Sequence, residues 1–232
     1  MRMMLVAALA IAPLLARDNA PVKRLNEATN VISEIMQTPD KGIPTDLLAN
    51  AHCIVIVPGL KTAAFVVGAK YGKGFEACRK HSGGGWSAPA SIRIEGGSVG
   101  FQIGGSETDV VMLIMNQSGE DKLLESRFTL GGEGSVAAGP VGRTATAQTD
   151  AQMHAEILSW SRSQGLFAGV SLQGATLRQD QDDNAALYGK KVENRAIMNG
   201  AVHHMPKAAA RLIGILDQYS SHERGTSTAS IQ

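Results

Sequence analysis

Residues 65–116 read FVVGAKYGKGFEACRKHSGGGWSAPASIRIEGGSVGFQIGGSETDVVMLIMN. Glycines punctuate the run in groups: Gly72 and Gly74, then Gly83, Gly84 and Gly85, then Gly96 and Gly97, then Gly104 and Gly105. Between them lie short β-branched and aromatic stretches, some alternating and some continuously apolar. That is the pattern of antiparallel strands joined by hairpins. Neither a G-x-G-x-x-G opening a helix nor a G-K-[ST] loop occurs, so the glycines do not read as a phosphate cradle. They read as turns and bulges in a curved sheet.

Working outward, residues 53–57 (CIVIV) form an unbroken apolar run, which suits a strand buried on both faces. Pro58 and Gly59 are expected to turn the chain. Residues 63–70 and 74–79 are expected to form a hairpin around Tyr71, Gly72, Lys73 and Gly74, which puts Lys73 at a turn tip. Further strands are expected at 87–94, 98–103, 109–116, 154–161 and 166–172. Residues 131–142 read as close-packed irregular backbone or a short strand. Val22, Leu25, Ala28, Ile32 and Ile35 recur at helical spacing over 21–38, and Ala209, Leu212, Ile213 and Leu216 over 206–219. Shorter helices are expected at 43–51 and 119–126, and a helical turn begins at Asp180. The fold class is α+β: an antiparallel, strongly curved Gly-rich β-sheet core packed with an N-terminal and a C-terminal helix. No linker or tandem repeat divides the chain, so 17–220 reads as a single domain. Residues 221–232 read as a polar, disordered tail.

The chain has 232 residues, of which 44% are apolar and 19% charged, an ordinary globular balance. Aromatics are only 4%, so aliphatic side chains must build most of the core. A net charge of +1 gives no bulk field for nucleic-acid binding. At the start, Arg2 precedes an apolar run over 3–16 closed by small residues, the pattern of a secretory signal. Cleavage is expected after Ala16, with Ala20 as the second site; an uncleaved anchor is the rival reading. Export places the protein in the periplasm or outside the cell. Cys53 and Cys78 flank strand-like runs. Either neighbouring strands join them in a disulfide, or both are separate buried thiols. With no C-x-x-C spacing they argue against a zinc site.

Site by site, the chemistry is sparse. Gly96, Ser98 and Gly100 match G-x-S-x-G, but the context is strand and glycine, without the helix a nucleophile elbow needs. The histidines are scattered and form no H-E-x-x-H. The acids after Asp180 lack the glycine and closing glutamate of a calcium loop and read as a solvated helix start. No catalytic residue, metal or cofactor is expected. The basic residues carry more weight. Lys61, Lys70, Lys73, Arg79 and Lys80 fall close together, with Glu76 the acid among them, and Tyr71 and Trp86 nearby. Such a rim suits a phosphate or lipid headgroup; the alternative is a solvated edge kept from aggregating by its lysines. Lys23 and Arg24 on the first helix suit a membrane interface, unless the helix packs its apolar face on the sheet.

Four strings, IVIVPGLKTAAFVVGAKYGKG (54–74), GGWSAPASIRIEGGSVGFQIGGSETDVVMLIMN (84–116), FTLGGEGSVAAGPVGR (128–143) and SRSQGLFAGVSLQGATL (161–177) followed by YGK (188–190), together resemble the SYLF domain. The resemblance covers roughly 49–190. It implies a non-enzymatic module that binds acidic lipids or phosphoinositides, through an N-terminal amphipathic helix and basic residues in eukaryotic members. Yeast members are also tied to cortical actin. For an exported chain without a recognisable SH3 or FYVE segment, the expected partner is an anionic phospholipid or membrane surface. An envelope protein is the alternative, and actin is not expected.

Overall fold

The computed structural model describes residues 20–38, 42–65, 67–80, 84–99, 104–139, 155–163, 166–167 and 172–221. The expected signal segment and the polar tail beyond Ser221 lie outside them. In chain order the elements are α1 (Ala20–Gln37), α2 (Thr45–Asn50), β1 (Cys53–Phe65), β2 (Val67–Cys78), β3 (Ala90–Val99), β4 (Gly104–Ile114), α3 (Gln117–Leu123), β5 (Arg127–Thr129), β6 (Val136–Ala138), β7 (Ile157–Ser163), β8 (Leu166–Phe167), β9 (Thr176–Gln179), α4 (Gln181–Tyr188), α5 (Asn194–Met198) and α6 (Lys207–Ser220).

The strands form one strongly curled sheet in the order β5-β9-β3-β2-β1-β4-β7-β6, with β8 on β7. The pairs are antiparallel except β6 with β7, which run parallel. The α+β class and the curved sheet are as expected from the sequence, but the turns fall elsewhere. β1 and β2 are long strands, paired from Cys53–Cys78 to Phe65–Val67. Tyr71 to Gly74 lie inside β2, so Lys73 is not at a turn tip. Pro58 and Gly59 do not reverse the chain either. They sit in a bulge of β1, where the register slips between Ile56 and Lys61. There Gly59 takes φ +59° and donates its N–H to Asp109 Oδ1 at 3.0 Å. The strand expected at 87–94 becomes β3, which begins at Ala90 and runs on through Gly96 and Gly97 to Val99; residues 100–103 of the strand expected at 98–103 lie outside the described residues. β4 begins at Gly104, too soon for the helix of a nucleophile elbow.

The two faces of the sheet bury two apolar clusters. Ile54, Ile56, Phe75, Val111, Leu113 and Trp160 meet Leu25, Ala28, Ile32 and Ile35 of α1, Leu48 of α2 and Leu212 and Leu216 of α6. Val55, Val57, Ile92, Ile94, Val110, Met112 and Ile157 meet Leu123, Phe128, Leu130 and Leu177 on the other side. This is why the run CIVIV does not alternate: β1 is central and covered on both faces. Each large aliphatic buried there contributes about 1.5–3 kcal/mol. Because α1 spends its apolar stripe on the sheet and α6, its polar face alone is left for solvent. Among the described residues no helix is long and apolar enough to cross a membrane.

Candidate ligand groove

A groove of about 710 Å3 runs between α1 and the surface of β1, β2 and β4. Arg24 lines it from α1, Lys61 from β1 just past the bulge, Tyr71 and Lys73 from β2, and Arg162 from β7. The acids Glu27, Glu34, Glu107 and Asp109 line it too. Tyr71 is 49% exposed, an unusual position for a large side chain in a central strand.

Asp183, in the first turn of α4, organises the cations. Its Oδ2 accepts from Arg24 Nη1 at 2.5 Å and its Oδ1 from Lys73 Nζ at 3.2 Å. Asp180 caps α4, accepting from the Asp183 N–H at 3.1 Å, and its other oxygen holds Lys73 Nζ at 2.7 Å. Burial by itself would lower the Lys73 pKa, but the two carboxylates outweigh it and hold the ammonium above its usual value. Arg162 makes a second bridge, to Glu34 Oε2 at 2.7 Å and Asp109 Oδ2 at 3.2 Å. The groove is therefore polar and nearly balanced in charge.

The expected basic rim is dispersed. Arg24, Lys61 and Lys73 share the groove. Lys23 lies on the outer face of α1, with an 81% exposed side chain 3.7 Å from Glu27. Lys70 is buried, which pulls its pKa down. Arg79, Lys80 and Trp86 sit at the opposite end of β2, about 30 Å from Lys70 at 3.3 Å per residue. Trp86 does not approach Tyr71 or Lys73. It is buried beneath Arg79, whose guanidinium stands 4.1 Å above the indole ring, and its Nε1 donates to Ser220 Oγ at 2.9 Å. Arg79 Nη2 donates to Leu48 O and Ala49 O, both at 3.1 Å, so it satisfies carbonyls at the end of α2. Arg79 and Trp86 thus fasten α2 and α6 to the sheet.

Sequence reasoning missed the acids. Asp180 was read as part of a solvated helix start, yet it is 3% exposed and paired. The local signal was the N-cap spacing of Asp180 and Asp183; the cation partners are far away in sequence. A buried polar cluster was also missed. Asn194 Nδ2 donates to Glu76 Oε1 at 2.9 Å and Ser91 O at 3.1 Å, while Asn184 Nδ2 donates to Asn194 Oδ1 at 2.7 Å. Burial pushes the Glu76 carboxyl up to about 8, although Asn194 opposes the shift.

Cys53 and Cys78 face each other across β1 and β2 and are joined in a disulfide. Of the two sequence readings, the bonded one holds.

A family model described as "Ysc84: Las17-binding protein actin regulator" matches residues 95–219. The chain is similar to the SH3 domain-containing YSC84-like protein 1 of Homo sapiens, 34% identical over 199 residues, covering 85% of this chain and 57% of that protein. It is similar to LAS seventeen-binding protein 3 of Saccharomyces cerevisiae, 34% identical over 188 residues, covering 80% of this chain and 40% of that one. Protein YSC84 of the same yeast is 34% identical over 181 residues, covering 77% and 38%. The chain thus spans 38 to 57% of the length of these relatives. One of these names, LAS seventeen-binding protein 3, describes binding, and the family description adds regulation of actin.

Proposed function

We propose, on the premise that this chain belongs to the Ysc84 (SYLF-domain) family, that it is a non-catalytic binding module for acidic phospholipid headgroups at a membrane surface. The observation that carries this reading is the groove. It gathers Arg24, Lys61 and Lys73 from three elements beside the exposed Tyr71. A phosphate is a ligand of the same kind as the Asp183 carboxylate that already bridges Arg24 and Lys73. A headgroup takes the place of that carboxylate, Lys61 adds a third contact, and Tyr71 reaches the interface beside it. Each basic side chain near an acidic leaflet contributes about 1 kcal/mol, so binding by so few is weak and falls with salt.

The same proposal places the protein outside the cytoplasm, on the strength of Arg2 and the apolar run that follows it. The disulfide supports this, since such bonds persist in oxidising compartments. Co-sedimentation with vesicles is the test. The protein is expected to pellet with phosphatidylserine or phosphoinositide vesicles and not with phosphatidylcholine, and Lys61→Glu should weaken the pelleting. Equal, negligible pelleting with both vesicle types would sink the reading.

A protein partner is the second reading. Relatives carry names such as LAS seventeen-binding protein, and the family description names an actin regulator. The expectation against actin rested on export alone, so it does not decide the matter. Co-sedimentation with purified actin filaments separates the two readings.

A further inference from the structure

We propose that Cys53 and Cys78 form half of a redox-gated metal site, and that the reduced protein binds one Zn2+ through Cys53, Cys78, Glu120 and His52. β1 and β2 set the two cysteines directly opposite each other. Both sulfurs and a carboxylate oxygen of Glu120 lie within 4.8 Å of one another, and all three residues are buried. Glu120 enters from the first turn of α3, where Asn116 caps the helix by accepting from the Gly119 N–H at 2.8 Å. His52, the residue before β1, places Nδ1 3.1 Å from Glu120 Oε2; it stands outside the cluster of mutually close donor atoms, so it completes the site by turning its ring from Glu120 toward the ion.

Two thiolates, a carboxylate and an imidazole form a donor set suited to tetrahedral Zn2+. With metal–oxygen and metal–nitrogen bonds of about 2.0–2.2 Å, adjacent donors on a tetrahedral ion stand about 3.3 Å apart. The His52–Glu120 separation already has that value to within a few tenths of an ångström. A groove of about 480 Å3, lined by His52, Glu120, Arg79 and Lys80, opens the Glu120 and His52 side of the site to solvent. The absence of a C-x-x-C spacing does not bear on this site, because strand pairing, and not a local turn, brings the sulfurs together.

The chemistry balances. A dithiol reductant supplies two electrons and two protons; the Cys53–Cys78 S–S bond breaks, two thiols form, and the reductant closes its own disulfide. Zn2+ then displaces the two thiol protons to solvent as the Zn–S bonds form. The ion with two thiolates, one carboxylate and a neutral imidazole carries a single negative charge, beside Arg79 and Lys80. A disulfide oxidant reverses the sequence and releases the ion.

The test is a cobalt titration of the full chain, oxidised and after reduction by a phosphine. The oxidised protein should show no thiolate-to-cobalt charge-transfer band. The reduced protein should bind one equivalent of Co2+ with that band and tetrahedral d–d absorption, and Zn2+ should erase both. Glu120→Gln and His52→Ala should each weaken Co2+ binding about tenfold or more while the band persists. Cys78→Ser should remove most of the band. Reduced protein that unfolds and regains its far-ultraviolet dichroism with Co2+, showing the band, also supports the site. The proposal is overturned by a reduced protein without the band, by unfolding that Co2+ does not reverse, or by an affinity that neither Glu120→Gln nor His52→Ala changes.

Discussion

At the scale of single residues, Glu76 sets the pH behaviour of the core. Its carboxyl titrates near 4.5 in the unfolded chain and near 8 in the folded one, because burial disfavours the charged form. Between those values the folded state holds a proton that the unfolded state has lost. The stabilisation is therefore complete below pH 4.5 and drains away as pH rises through 8. Glu76→Gln keeps the shape and removes the titration. Urea unfolding should show wild type losing stability relative to the variant from pH 5 to pH 9, whereas parallel profiles would contradict the assignment. Gly74 is a second decisive residue. A Cβ there would stand 2.1 Å from the Ile56 carbonyl oxygen, a backbone atom that cannot step aside without moving β1. Gly74→Ala should cost about 2–3 kcal/mol in chemical denaturation, as overpacking does. An unchanged midpoint would mean that the two strands do not approach so closely.

At the scale of elements, one carboxylate bonds to both α1 and β2 from the first turn of α4, and Asp180 adds a second bridge to β2. Asp183 joins Arg24 and Lys73 across the edge of the groove, with side chains 15 to 26% exposed. Asp183→Asn removes its charge and should lower stability by about 2 kcal/mol, read by thermal or urea unfolding. The same change frees Arg24 and leaves Lys73 held by Asp180 alone, so vesicle pelleting should rise even as stability falls. A loss of both stability and pelleting would show that Asp183 serves the fold and that the groove takes no headgroup. The helices themselves were legible in the sequence: α1 and α6 follow the 3.6-residue spacing of their apolar positions, because an amphipathic stripe is a local property of the chain. The strand ends were not. Gly72, Gly74, Gly96 and Gly97 read as turns, but they lie inside β2 and β3. At Gly72, Gly74 and Gly96 a Cβ would come within 3 Å of a residue outside its own strand. A glycine needed for close approach and a glycine needed for a turn look the same in one dimension.

At the scale of the whole molecule, the disulfide closes the first hairpin of the sheet. Cys53 and Cys78 are 25 residues apart, and tying them limits the unfolded chain by about 3 kcal/mol in the loop-entropy account. The Cys53→Ala, Cys78→Ala double variant should unfold at correspondingly lower denaturant with the fold unchanged; a midpoint equal to wild type would place the stabilisation elsewhere in the sheet. By itself the sequence determined the class, the curved antiparallel core, the two long amphipathic helices and the family, because each is written in local periodicity or in strings that stand in order along the chain. It also named the cysteines and the basic residues, but not their company. Only the tertiary structure decided that Lys73 answers to Asp180 and Asp183, that Arg79 and Trp86 fasten helices, and that Glu120 stands beside the sulfurs with His52 against it. Those outcomes depend on contacts between residues as many as 134 positions apart, and such contacts exist only once the sheet has curled and the helices have closed over it.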